Sequence, residues 1–195
     1  MLGKANTPEF GKFGTTENRL GPACANPWDT TRTTGGSSGG AAAAMAACLC
    51  PLATGGDGGG SIRIPASFCG IYGIKPTQGR VSSYSTASAP VVSNFLSQQG
   101  PMSRTVRDSA LLLQVLAGHD RRDGGSLRDA PDDYLAAVDR DVKGLRIAWS
   151  PDFGYAAVDA EVIEVTATGA RVFEELGCSV EKSSLTLQSP FDTWW

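Results

Sequence analysis

Between residues 35 and 77 the chain carries two serines, Ser37 and Ser61, each set in a glycine cluster: GGSSGG at 35–40 and GGDGGGS at 55–61. Five of the six residues from 55 to 60 are glycine. Without Cβ atoms such a segment reaches positive φ and lets another group approach its backbone closely. Successive peptide N–H groups can then converge on one anion. Ser61 follows at once, so a carbonyl attacked by its hydroxyl would develop negative charge among those donors. Such donors contribute about 3–4 kcal/mol each in hydrolases. A flexible linker has a similar composition, but the flanks PLAT and SIRIPASFCGIYGI are apolar, as core sequence is. A turn that presents a nucleophile accounts for the stretch better.

In the first cluster, Ser37 or Ser38 can cap the helix expected over 39–50, where GGAAAAMAACLC supplies the best helix former and Pro51 stops it. Capping accounts for one serine, not for two bracketed by glycine pairs. Residues 35–39 also match G-x-S-x-G, the elbow of α/β-hydrolases, with His119 downstream and Asp57 or Asp108 between. That elbow needs a buried strand before it, and TTRTT at 30–34 is polar. Ser179 and Lys182 match S-x-x-K, but on a strand residues three apart face opposite sides. No lysine follows Gly60, which excludes a P-loop, and no G-x-G-x-x-G follows Trp149.

Together GGSSGG, GGSIRIPASFCG and GIKPT resemble the signature of the amidase signature family of serine hydrolases, and the serine spacing (61 − 37 = 24) agrees. LGKANTPEFG, NPWDTTRTTGG and QGPMSRTVRDSALLLQVLAG agree as well, so the likeness is dense to about residue 120 and looser beyond. The resemblance implies an α/β fold, a mixed β-sheet surrounded by helices, here incomplete. Residues 1–195 would form a single partial domain with its signature core at about 35–77. It implies an amidase that cleaves a carboxylic amide C–N bond through a serine acyl-enzyme. By position Ser61 corresponds to the nucleophile and Ser37 to the bridging serine, which in the family follows a cis peptide bond. Gly58, Gly59 and Gly60 correspond to the oxyanion hole. The third member of the triad is a lysine upstream of the segment matched here by LGKANTPEF, and neither Lys4 nor Lys12 holds that position. The chain therefore reads as truncated at both ends, with weakened or absent activity. Two other readings stand beside it: a non-catalytic remnant or interaction module, and an A-type subunit of a transfer-RNA amidotransferase. Gly56 and Gly58 flank Asp57 where the family often has threonine, which should loosen the loop. Ile64 replaces the glutamine common in amidotransferase subunits, which favours a free-standing amidase.

Elsewhere the punctuation is conventional. Residues 1–34 hold Pro8, Gly11, Gly14, Pro22 and Pro27 and predict irregular chain. LAT reads as a short strand, 61–67 as a turn into a helix begun by Pro65, 71–75 as a strand, and 78–100 as a loop bordering the cleft. Thr105 and Asp108 fit a capping pattern before ALLLQVLA, with Gly118 where a left-handed C-terminal residue belongs. A short helix follows over 131–138. LRIAW, a helix over 159–176 closed by Gly177, and CSVEK make a parallel β-α-β unit.

With 17 basic and 20 acidic residues the net charge is −3 and no basic block occurs, so no nucleic-acid partner is expected. Five cysteines without regular spacing, Cys24, Cys48, Cys50, Cys69 and Cys178, read as reduced, buried thiols. A single histidine makes a zinc site improbable, and neither metal nor cofactor is implied. No apolar run approaches the ~20 residues of a membrane span. The expected setting is the cytoplasm, the partner a small-molecule amide, with no membrane and with self-association as a homo-oligomer a further expectation.

Overall fold

The computed structural model describes residues 2–84 and 96–191. The chain divides into two compact units, Met1–Asp139 and Arg140–Trp195, and each is described by itself.

The first unit is built on β3 (Leu52–Asp57), β5 (Gln98–Ser103) and β4 (Tyr72–Gly73), an antiparallel sheet in the order β3-β5-β4. The glycine cluster thus starts as strand: Gly55 and Gly56 lie opposite Gly100 and Gln99, and only after Asp57 does the chain turn. The sequence placed 78–100 in a loop, yet residues 98–100 are in the central strand; the positions 85–95 of that expectation lie outside the described residues. Gly100 and Pro101 hide this strand from pattern reading, because both are rare in strand interiors. Here Gly100 is needed, since a Cβ on it would stand 2.0 Å from the Ile74 carbonyl oxygen. Pro101 offers its carbonyl to the Ile74 N–H at 3.1 Å.

Helix α1 (Gly39–Ala46) and helix α2 (Arg63–Cys69) pack beside this sheet. Ala41, Ala42, Ile62, Cys69 and Met102 form the buried cluster, with Ala46, Ala53 and Ile71 at its edge. Alanine on α1 lets the helix approach closely. The helix ends four residues before the expected stop, because Cys48 takes a positive φ of 58° and Leu49 donates back to the Ala44 carbonyl at 2.9 Å. Arg104 ties this end of the helix to the segment after it, donating to Met45 O (3.1 Å) and Cys50 O (3.2 Å). In α2, Pro65 is the third residue rather than the first, still within the turn whose N–H groups have no helical acceptor. Gly70, left-handed at φ 64°, closes the helix.

Helix α3 (Val106–Leu116) is capped as the sequence predicts: the Thr105 hydroxyl accepts from Asp108 N at 3.1 Å. Its exit differs, since Ala117 is extended and Gly118, at φ 149°, donates to the Arg80 carbonyl rather than folding back. Helix α4 (Tyr134–Val138) is shorter than expected and begins at the Asp133 cap. Residues before α1 are irregular except for a 3-10 turn at Glu9–Gly11 and a ribbon of β1 (Ala25–Asn26) and β2 (Asp29–Thr33). TTRTT is therefore largely strand, but an exposed one.

The second unit is a parallel pair, β6 (Arg146–Trp149) and β7 (Ser179–Lys182), crossed by helix α5 (Ala160–Glu175). Asp159 accepts from Glu161 N at 2.9 Å at its start and Gly177 (φ 84°) follows its end. Ser179 and Lys182 are both exposed on β7. Cysteines are free throughout, but only Cys69 and Cys178 are buried, and Cys48, lifted out by its positive φ, is exposed.

Candidate active site

The two serine clusters meet through the backbone: Ser38 N donates to Ser61 O at 3.0 Å. A second contact runs from Ser38 Oγ to Gly56 O at 3.4 Å. Ser38 is the N-cap residue of α1, yet its side chain caps nothing, because its hydroxyl faces β3 instead. The Gly36–Ser37 peptide bond is cis.

The first cluster is clamped from the N-terminal segment. Thr16 Oγ1 donates to Gly35 O at 2.8 Å, Thr34 Oγ1 to the same carbonyl at 3.1 Å, and both threonines are fully buried. Gly40 N donates to Asn6 O at 3.1 Å. A Cβ on Gly36 would lie 2.7 Å from Thr15 O, so the chain can pass here only as glycine.

The second cluster is organised by Asp57, whose side chain is wholly buried. Its Oδ1 accepts from Gly60 N at 2.7 Å, and its Oδ2 accepts from Ile62 N (3.1 Å) and Arg63 N (3.2 Å). The carboxylate thus gathers the turn 57–63 around itself and orients the start of α2. Burial pushes its pKa up, but the Arg63 side chain, then the Arg63, Gly60 and Ile62 amides, outweigh that and hold it at about 2. Gly56 and Gly58 flank an aspartate held by five hydrogen bonds, so the expected loosening has a strong counterweight. Gly60 takes φ 123°, and a Cβ there would meet Ile64 Cδ1 at 2.8 Å.

Among the described residues, neither the Ser37 nor the Ser61 hydroxyl hydrogen-bonds another protein group, and both are half-buried. Gly60 N is committed to Asp57, whereas the amides of Gly58, Gly59 and Ser61 have no protein acceptor among the described residues. A mostly apolar cavity of about 770 Å³ opens on Ser37 and Ser38, lined by Ala41, Leu52, Gly55 and Leu112, with Lys4 at its edge. His119 is exposed and lines a different cavity, so the structure does not assemble the G-x-S-x-G alternative. Among the described residues no cluster of three or more histidine, cysteine or acidic side chains could hold a metal ion. Among the described residues, no helix is long and apolar enough to cross a membrane.

The sequence profile of the Amidase family matches residues 1–191. The chain belongs to the Amidase family. An acylamidase from Rhodococcus erythropolis is 45% identical over 195 residues, which are 100% of this chain and 40% of that protein. The A subunit of a glutamyl-tRNA(Gln) amidotransferase from Rubrobacter xylanophilus is 48% identical over 186 residues, covering 95% of this chain and 38% of that one. Among solved structures, a bacterial aryl acylamidase of the amidase signature enzymes superimposes with a TM-score of 0.85 at 40% identity, over 97% of this chain and 39% of its own. A 6-aminohexanoate cyclic dimer hydrolase bound to substrate gives 0.84 at 39% identity, over 93% of this chain and 38% of its own. This Amidase chain thus spans about two fifths of the length of the relatives it matches, and the expected mixed α/β fold is the one it has.

Proposed function

We propose that the site acts on a carboxylic amide, with Ser61 as nucleophile and Ser37 as the serine that relays its proton. The observation that carries this reading is the Ser38 N to Ser61 O hydrogen bond, which brings the two clusters into one site. Ser61 Oγ would attack the amide carbonyl, forming a C–O bond while the proton passes through Ser37 to a base. The new oxyanion would be held by the uncommitted amides of Gly58, Gly59 and Ser61, with Gly60 N serving Asp57 instead. The proton would return to the departing amine as the C–N bond breaks, and water would hydrolyse the acyl-enzyme.

No lysine among these 195 residues occupies the position that the resemblance gives the base, so for this polypeptide we propose slow acylation. The cavity beside Ser37 is the kind of surrounding a lysine base needs, because apolar walls disfavour the ammonium form. Lys4, at its edge, is exposed. A fluorophosphonate probe and an acyl anilide test the reading: Ser61 should be labelled, slowly, and Ser61→Ala should abolish it. Equal labelling of the variant, or none in the parent, favours a non-catalytic remnant.

The 48% identity to an amidotransferase A subunit keeps a second reading in view. It requires glutamine-dependent transamidation once the remaining subunits are supplied. Ile64, in place of the glutamine common in such subunits, favours the free-standing amidase with a small-molecule amide as substrate, and the five free thiols fit a cytoplasmic setting.

A further inference from the structure

Beyond α3 the chain forms a loop, 118–128, whose carboxylates are engaged, Asp120 by Arg122, and whose other two guanidinium groups, Arg121 and Arg128, are not. Asp120 accepts from Arg122 Nε (2.9 Å), Nη2 (2.8 Å) and backbone N (3.0 Å). Asp123 accepts from Ser82 Oγ (3.1 Å), Ser83 N (2.8 Å) and Gly125 N (2.9 Å). Ser126, buried, accepts from Asp120 N at 3.0 Å and donates to the Gly118 carbonyl at 3.4 Å. Leu127 N to Gly79 O (3.0 Å) and Gly118 N to Arg80 O (3.1 Å) fasten the loop to its neighbour. Arg80 is itself paired with Asp129. The backbone is therefore fixed by its own acids, and its shape does not depend on the remaining cations.

Those cations converge on one cavity of about 430 Å³, lined by His119, Arg121, Asp123, Gly124, Ser126 and Arg128. Neither Arg121 nor Arg128 has an ion-pair or hydrogen-bond partner among the described residues. Asp123 is the one acid in the lining, and its oxygens already take three donors. Two guanidinium forks and an imidazole thus face a space with little negative charge left to offer them. A guanidinium fork matches the oxygens of a carboxylate or a phosphate two at a time, and of these a phosphate, with more than two oxygens and nearly two charges, can engage two guanidinium groups at once.

We propose that this cavity binds the phosphate group of a small phosphate monoester. Its volume exceeds that of inorganic phosphate and falls in the range of small-ligand pockets. Arg121 and Arg128 would grip the oxygens and His119 would supply a further donor. The inference is independent of amide hydrolysis: Ser37 and Ser61 line no part of this cavity.

Calorimetric titration of the full chain with inorganic phosphate, at constant ionic strength, tests it. Saturable binding with a dissociation constant in the millimolar range is expected. Arg121→Ala/Arg128→Ala should weaken it by about tenfold or more, with an unchanged thermal transition showing that the loop still folds. Lys182→Ala, on an exposed strand position, should leave binding as it was. No saturation by about 50 mM phosphate, equal binding by the double variant, or equal binding of acetate would overturn the assignment. None of those results would alter the labelling of Ser61.

Discussion

Arg63 lies across Asp57 as a two-pronged ion pair, Nε to Oδ2 and Nη2 to Oδ1, each 2.9 Å. The guanidinium side is 56% exposed and the carboxylate 0%. A buried carboxylate that also holds three amides of the turn cannot lose its countercharge cheaply. Removing one member of such a pair leaves an unbalanced buried group, which typically costs about 3–5 kcal/mol. Asp57→Ala strands the amides of Gly60, Ile62 and Arg63 as well as the guanidinium. Its unfolding free energy, read from urea denaturation, should fall by an amount in that range, and Ser61 labelling should fall with it. Arg63→Ala keeps the three amide bonds but leaves the buried carboxylate without its countercharge, so a loss of about 3 kcal/mol, at the lower end of that range, is expected.

The same pair sets a pH dependence. The Asp57 pKa in the folded chain is about 2, below the ordinary 3.8. The folded state therefore favours the ionised form, and the stabilisation is fully present above about pH 4, where an unfolded aspartate is also ionised. It is lost as pH falls from about 4 through 2, by about 2 kcal/mol for this group. Asp120 is also held at about 2, chiefly by the Arg122 side chain, so the parent curve contains more than one group. Denaturation of the parent and of Asp57→Asn between pH 2.5 and 6 separates them. The gap between the two curves should close towards the acid end, and a gap independent of pH would contradict the assignment.

Much of this arrangement is legible in the chain itself, and what is hidden is hidden for physical reasons. The spacing of Ser37 and Ser61 and the family likeness point to one site. The β-α-β pattern of the last 50 or so residues, with Asp159 and Gly177 as its stops, is found where local rules put it. Strand β5 is not legible, because QQGPMS contains both residues that argue against a strand, and the requirement for Gly100 comes from Ile74, 26 positions away. The Asp57–Arg63 pair could have been suspected from the sequence D-x-x-x-x-x-R across a turn, but nothing local says that the aspartate is buried. Ser38 holds the N-cap position of α1 but does not cap it with its side chain, since Gly56 of β3 competes for its hydroxyl.

Gly100 offers a direct test of that long-range constraint. A Cβ there would sit 2.0 Å from the Ile74 oxygen, which is backbone and cannot swing aside. Gly100→Ala should therefore force β5 and residue 74 apart and lower stability by more than about 3 kcal/mol, at the severe end for a single substitution. Gly14→Ala meets nothing within 4 Å and should lie within about 1 kcal/mol of the parent, or gain slightly from a stiffer unfolded chain. Thermal unfolding of the two variants side by side makes the comparison. Equal transitions would mean that the sheet does not close against Ile74 as described.

Thiol reactivity reports on the packing beneath α1 and α2. Burial pushes the Cys69 thiol up to about 11, with the neighbouring Cys24 adding to the shift, and its Sγ–H contacts the Thr34 carbonyl at 3.7 Å. At pH 8 only about one part in a thousand would be the reactive thiolate, before access is considered. Cys48 stands exposed on the turn after α1. Timed alkylation with iodoacetamide, read by peptide mapping, should therefore modify Cys48 first and leave Cys69 intact until denaturant is added. Because Cys69 belongs to the same buried cluster as Ile62, the residue after Ser61, its protection should be lost together with Ser61 labelling in Asp57→Ala. Rapid modification of Cys69 in the folded parent would show that the core under the site is open.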